Sequence, residues 1–349
     1  RNGGIAYPDP IRGTHQMVVV GNSILGDSQL DVSERPRWGL TVHNTHSGLI
    51  ANNVAYGFGG ANFLLEKDGQ KGDIFRENFG AKSYGAFQAA PYARISMNPP
   101  DFAFNGTAGI WARNADSNYF IGNVAANGGR EGFGIVGIEL QKGMFVPRNP
   151  GDDPANYEHV FPVSLPILEF RDNETYGATP DGLFLWEVGV TLPSVPPQIV
   201  LPENQVNLIK NFSAWNLVSP GAAIATRWTA GVKVDGLTAI GSYGKGTGVA
   251  IGDGSRLAHR TIVENSTLDG LQIGVDITGR ASQPLQQYPT PAHTIIRNNN
   301  FVNNGIDVFN NLNDYGNTPN DVAIAGPKSV LLCNNIMSQQ SPSNWHVEN

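Results

Sequence analysis

The 349-residue chain contains one cysteine, Cys333. A disulfide framework is therefore excluded, and a lone Cys inside an apolar stretch reads as a small buried hydrophobe. No Cys/His cluster has zinc spacing. Charge is scarce as well: 15% of residues are Asp, Glu, Lys or Arg, and the net charge is −7. With no basic run, nucleic acid is not an expected partner. No stretch of about 18 apolar residues occurs, so no membrane span is expected. No long amphipathic helix period appears anywhere. No signal-peptide pattern is present either. The chain opens at Arg1-Asn2-Gly3-Gly4, almost directly in repeat territory. It reads as a mature or partial chain whose first coil, around Met17 to Ile24, needs a cap.

Glycine is plentiful, at 42 residues with 23 Pro, as many tight corners would require. A short motif recurs beside it: apolar, any, any, Asn. Copies end at Asn22, Asn53, Asn78, Asn123, Asn173, Asn211, Asn265, Asn299 and Asn335, and Val234-Asp235-Gly236-Leu237 is a copy without the Asn. A short strand ending in Asn is the mark of a parallel β-solenoid, in which each coil buries its apolar residues only by stacking on the next. The fold class expected is all-β, a right-handed parallel β-helix like that of pectin lyases. It forms a single domain over residues 1–349, of about ten coils, and the handedness follows from parallel-sheet chirality. Insertions are expected near 84–105, 142–166, 189–206, 280–292 and 311–327. Of the sequons at Asn105, Asn173, Asn211 and Asn265, the last three fall on the ladder and are expected to be buried and closed to glycans.

A second strand of each coil follows a Gly-rich corner, as in Leu40-Thr41-Val42-His43 and Ile110-Trp111-Ala112-Arg113. Its fourth position reads His43, Glu66, Arg113, Glu139, Glu187 and Arg227 over six successive coils. Stacked about 4.8 Å apart, these groups would form one strip, with Trp111, Trp186 and Trp228 near it. Acids, bases and aromatic platforms on a long flat face suit a polysaccharide. Glu66, Glu139, Glu187 and His43 are the candidate catalytic groups, and Arg113, Arg227, Trp111 and Trp186 the candidate substrate-binding groups. The competing reading is a solvated face of mutually satisfied charges, and a one-residue slip would turn any member away. Glu66 and Asp68 offer a weak metal pair. No cofactor is called for, and calcium is left open. His46 reads as a turn residue, and Tyr92 and Arg94 as loop residues within reach of the face.

Thr41-Val42-His43-Asn44-Thr45, Asn52-Asn53-Val54-Ala55-Tyr56 and Gly59-Gly60-Ala61-Asn62-Phe63-Leu64-Leu65-Glu66-Lys67-Asp68-Gly69 come in close succession, then Asn78-Phe79-Gly80. This stretch resembles the β-helical part of the cell-migration-inducing hyaluronan-binding protein, its transmembrane hyaluronidase relative, and their bacterial and protist cousins. The resemblance covers about Trp38 to Gly134. It departs from the family where Gly60 or Ala61 replaces a His, where Lys67 splits a Glu-Asp pair, and in lacking the Gly-rich N-terminal module. It implies a secreted or cell-surface β-helix with a hyaluronan-like substrate, and His43 and Glu66 keep their motif positions. The expected function is an extracellular protein that binds or cleaves a polysaccharide as hydrolase or lyase. The alternative is a non-enzymatic structural or adhesive subunit, with other chains capping or stacking on the helix ends.

Overall fold

A computed structural model describes residues 7–9, 13–15, 17–26, 38–43, 45–66, 71–83, 108–113, 117–129, 131–137, 144–146, 152–160, 165–191, 198–199, 204–217, 221–242, 244–252, 258–277, 293–310 and 329–337. Its regular secondary structure is almost entirely strand, and almost every pairing is parallel. Each coil contributes to three faces. Sheet A includes Leu40–His43, Phe63–Glu66, Ile110–Arg113, Phe133–Val136 and Leu183–Val188. Sheet B includes Leu49–Ala51, Ile74–Arg76, Tyr119–Ile121, Glu169–Arg171 and Asn207–Lys210. Sheet C is a nine-stranded stack from Ser23–Leu25 to Asn300–Val302. Sheets A and B are continuous through one 14-residue strand, Ala222–Asp235. The chain is the parallel β-helix that its repeat predicts. Parts of two predicted insertions are described: antiparallel Met144–Val146 with Glu158–Val160, and antiparallel Val190–Thr191 with Gln198–Ile199. The insertions near 84–105, 280–292 and 311–327 lie outside the described residues.

Inward residues at alternate positions fill the coil axis. Phe75, Phe120 and Phe170 follow one another in register with ring centroids 6.0 and 6.1 Å apart, and Phe212, from the corner of the next coil, packs edge-on to Phe170 at 5.7 Å. The B–C corner explains the Asn motif, and it takes two residues. The first, from Gly21 through Asn52, Glu77, Gly122, Asp172, Asn211, Gly236, Asn265 and Asn298 to Asn334, has φ between 50 and 78°. Gly and Asn tolerate this left-handed backbone best. The second points inward. At Asn53, Asn78, Asn123 and Asn173 it is a buried amide. Each Oδ1 accepts from the backbone N–H and Nδ2 of the preceding coil's Asn, and Nδ2 of Asn78 also donates to Ile50 O.

Two ladder assignments need correcting. Asn211 and Asn265 occupy the exposed, left-handed position, and the inward places belong to Phe212 and Ser266. Asn22 is also exposed, while Asn299 is buried and bonded to Asn335.

A candidate carbohydrate face on sheet A

In the strand Ile110–Arg113, Ile110 and Ala112 join the axial core. Trp111 instead belongs to a separate cluster on the outer face, with Leu64, Val136, Phe184 and Ala225. The sheet is thus buried on both sides here, and its strands read as unbroken apolar runs. Gly134 makes this packing feasible, since a Cβ there would lie 2.3 Å from Trp111 Cε3. Among the described residues, none accepts a hydrogen bond from the buried Trp111 Nε1.

The register decides the predicted strip. His43 pairs with Glu66, Arg113 with Val136, Val136 with Trp186, and Trp186 with Arg227. Four predicted members therefore keep the column: His43, Glu66, Arg113 and Arg227. The side chains of His43 and Glu66 lie outside the described residues, as do Glu139 as a whole, Tyr92, Arg94 and the Glu66–Asp68 metal pair. Val136 holds the place assigned to Glu139. Glu187 is one residue past the column, where Trp186 stands in its stead. The slip has a physical cause: Leu183-Phe184-Leu185-Trp186 is apolar at every position, so no alternation fixes its phase.

Glu187 nevertheless sits in a distinctive place. It is buried, with φ of 57° at the end of the face. Burial pushes its carboxyl up to about 7, against a hydrogen bond from Trp186 Nε1 to Oε1 at 3.0 Å. The Arg227 guanidinium lies 4.9 Å from the Phe184 ring centroid and 5.9 Å from that of Trp186, within cation–π range. Trp186 packs edge-on to Phe184, with centroids 5.6 Å apart.

Two further acids were not found from sequence. Gly109 N donates to Glu131 O, Gly132 N to Asp181 O, and Gly182 N to Ala222 O. Ala108, Glu131, Asp181 and Ala222 therefore form one column entering sheet A. Ala108 and Ala222 pack into the outer cluster with Trp111. Glu131 and Asp181, both buried, are its acidic members on neighbouring coils. Asp181 Oδ1 accepts from Ala222 N at 3.0 Å. The available signal was the repeat of acid, Gly, large apolar in Glu131-Gly132-Phe133 and Asp181-Gly182-Leu183. The glycine between is forced, because a Cβ at Gly132 would lie 2.2 Å from Thr175 Oγ1.

His46 is a buried corner residue. Its Nδ1 accepts from Lys71 N at 3.2 Å, and its ring meets Tyr157 edge-on. Burial, and then Lys71, bring its imidazole down to about 4. Among the described residues no group of three or more His, Cys, Asp and Glu is placed to hold a metal ion. No helix there is long and apolar enough to cross a membrane.

Residues 29–183 match the CEMIP beta-helix family model. The resemblance drawn from residues 38–134 falls within this match, and the matched stretch includes Glu131, Asp181 and most of the outer cluster. Among curated proteins, none matches the chain. Among solved structures, it is similar to the catalytic domain of a GH87 alpha-1,3-glucanase in complex with tetrasaccharides, at 11% identity and a TM-score of 0.44. That match covers 88% of this chain and 52% of that one. A thermostable GH87 alpha-1,3-glucanase from Streptomyces thermodiastaticus matches at 12% identity and 0.36, over 88% of this chain and 48% of that one. The chain spans about half the length of these neighbours, and at such scores the likeness carries no argument about activity.

Proposed function

We propose that this protein is a secreted or cell-surface carbohydrate-active β-helix that takes a polysaccharide along the outer face of sheet A and hydrolyses it. The observation that carries this reading is the pair Glu131 and Asp181, buried on neighbouring coils in the column whose Ala108 and Ala222 pack with Trp111 and Phe184. Neighbouring coils are about 4.8 Å apart, which brings two carboxyls into the range where one protonates a leaving oxygen and the other serves as base or nucleophile. The half-buried Trp186 supplies a stacking surface for a sugar face, and Arg113 and Arg227 stand at the same edge of these strands. Glu131, Asp181 and Glu187 make a strongly anionic polymer such as hyaluronan a poorer fit than a neutral or weakly charged glycan. The family match keeps hyaluronan in the test panel.

The test is a glycan panel with product analysis by mass spectrometry. Glu131→Gln and Asp181→Asn should each abolish turnover of the glycan that is cleaved, with the strand circular dichroism retained. Unchanged turnover in both variants would remove the hydrolase reading.

The alternative, an adhesive or assembly subunit, has an observation of its own. Val54, Phe79, Tyr176 and Trp215 are exposed on the outer face of sheet C, with Val54 paired to Phe79 and Tyr176 to Trp215. Concentration-dependent self-association that is lost in Trp215→Ser, with no glycan bound, would favour it.

A further inference from the structure

Asn211 and Asn265 each open an Asn-X-Ser/Thr sequon, Asn211-Phe212-Ser213 and Asn265-Ser266-Thr267. Sequence alone does not separate them from Asn173-Glu174-Thr175, but the corner does. Asn173 is the inward residue: it is buried, Nδ2 donates to Phe120 O at 2.8 Å, and Oδ1 accepts twice from Asn123. Asn211 and Asn265 stand one residue earlier, exposed, with φ of 50 and 54°. Their Nδ2 groups donate sideways to the preceding coil's carboxylate, Asn211 to Asp172 Oδ1 at 2.9 Å and Asn265 to Asp235 Oδ1 at 2.8 Å. The hydroxyl residues of the two sequons, Ser213 and Thr267, are half-buried and share a register column on sheet C with Thr238 between them.

We propose that Asn211 and Asn265 are N-glycan acceptors when the chain passes through a eukaryotic secretory pathway, and that Asn173 is not. In the transfer, Nδ2 bonds to the anomeric carbon of a lipid-linked oligosaccharide. One amide proton is lost, and the bond from that carbon to the lipid pyrophosphate breaks. The modified nitrogen keeps one N–H, so Asp172 or Asp235 retains a donor. At Asn173 the same substitution would place a sugar on the coil axis, so a chain carrying it there cannot close its ladder. The two acceptors lie two coils apart, about 10 Å, on the B–C edge. In a three-faced coil that edge is opposite sheet A, so both glycans leave the candidate carbohydrate face open. This inference rests on the secretion part of the proposed function and is independent of its chemistry.

The experiment is secretion of the full chain from a glycosylating eukaryotic host, enzymatic deglycosylation in ¹⁸O water, and peptide mass spectrometry. A co-secreted glycoprotein of known full occupancy confirms transfer in the same cells. The expected result is ¹⁸O-labelled Asp at positions 211 and 265 and unlabelled Asn at 173. Ser213→Ala should remove the first label alone, and Thr267→Ala the second alone. Unlabelled 211 or 265 in secreted protein, or a label at 173, overturns the assignment. Loss of glycan hydrolysis would leave it untouched.

Discussion

Asn123 Oδ1 accepts both the backbone N–H and the Nδ2 of Asn78, each at 3.0 Å. Asn123 in turn spends its own Nδ2 on Phe75 O at 2.8 Å and on Asn173 Oδ1 at 3.0 Å. Asn123→Ala leaves the donors of Asn78 and the carbonyl of Phe75 without these partners in a dry interior. The expected cost is about 1–3 kcal/mol or more, as buried polar groups lose partners. Asn211→Gly, at the exposed residue of the corner two coils on, should cost far less, because Gly suits a φ of 50°. Urea denaturation of the two variants checks the contrast, and equal losses would refute the two-residue corner.

Gly134→Ala should destabilise by about 1–3 kcal/mol, the usual range for overpacking. The added Cβ would meet the Trp111 ring at 2.3 Å, which no ordinary rotamer adjustment of a buried indole absorbs. A change in tryptophan fluorescence should accompany the loss. Stability unchanged from the parent chain would contradict the packing of Trp111 across its neighbouring strand.

Asp73 is fully buried where the next coil has Asn118, and its backbone N–H donates to Asn118 Oδ1 at 2.7 Å. Its Oδ1 accepts from Gly48 N at 2.6 Å. Burial raises its carboxyl well above 3.8, and the Gly48 N–H opposes this. The folded state therefore holds the proton more tightly than the unfolded chain. The stability tied to it is complete below the unfolded value and declines as pH rises through the folded one. Asp73→Asn should raise stability at pH 8 by about 1 kcal/mol, seen as a higher melting temperature, and have little effect near pH 3. A lower melting temperature at pH 8 would oppose this account.

Glu187 follows the same sign. Its carboxyl moves from an ordinary 4.5 up to about 7, so folding favours the protonated form, and stability falls between those values as pH rises. Glu187→Gln keeps an acceptor for Trp186 Nε1 and removes the titration. Thermal melts from pH 4 to 9 should be flatter in the variant, with a gain on the order of 1–3 kcal/mol above pH 8. A pH profile identical to that of the parent would count against a buried Glu187.

The fold was legible because the Asn corner ties a local motif to stacking: an apolar residue three places before Asn recurs at most corners where sheet B turns into sheet C. The phase of the corner was harder to read. Lys210-Asn211-Phe212 fits a template in which Asn points inward, although the Asn serves the left-handed backbone and Phe212 fills the axis. On sheet A the coil before Arg113 was aligned correctly through Glu66. Phe133-Gly134-Ile135-Val136 and Val136-Gly137-Ile138-Glu139 offered two overlapping strands of similar pattern. The first is the one that pairs, and it brings Gly132 close to Thr175 on the opposite sheet, a contact across the coil that no local pattern reports. Glu131 and Asp181 sit before the strand, where only the short repeat of acid, Gly and large apolar residue marks them.

Where Phe212 and Leu237 replace the amides, the pairing of Ser213–Leu217 with Thr238–Gly241 shifts register between Trp215 and Leu217. The amide column from Asn53 to Asn173 acts as a keyway, since each oxygen there takes two donors from the coil before it and holds successive turns in step. An extra residue inserted beside Asn78 or Asn123 would have to break that key. Between Phe212 and Leu237 the contact is apolar and indifferent to small rotations, so the chain absorbs its irregularity there. Among the described coils, this is a joint where a turn can be lengthened without misaligning the turns on either side.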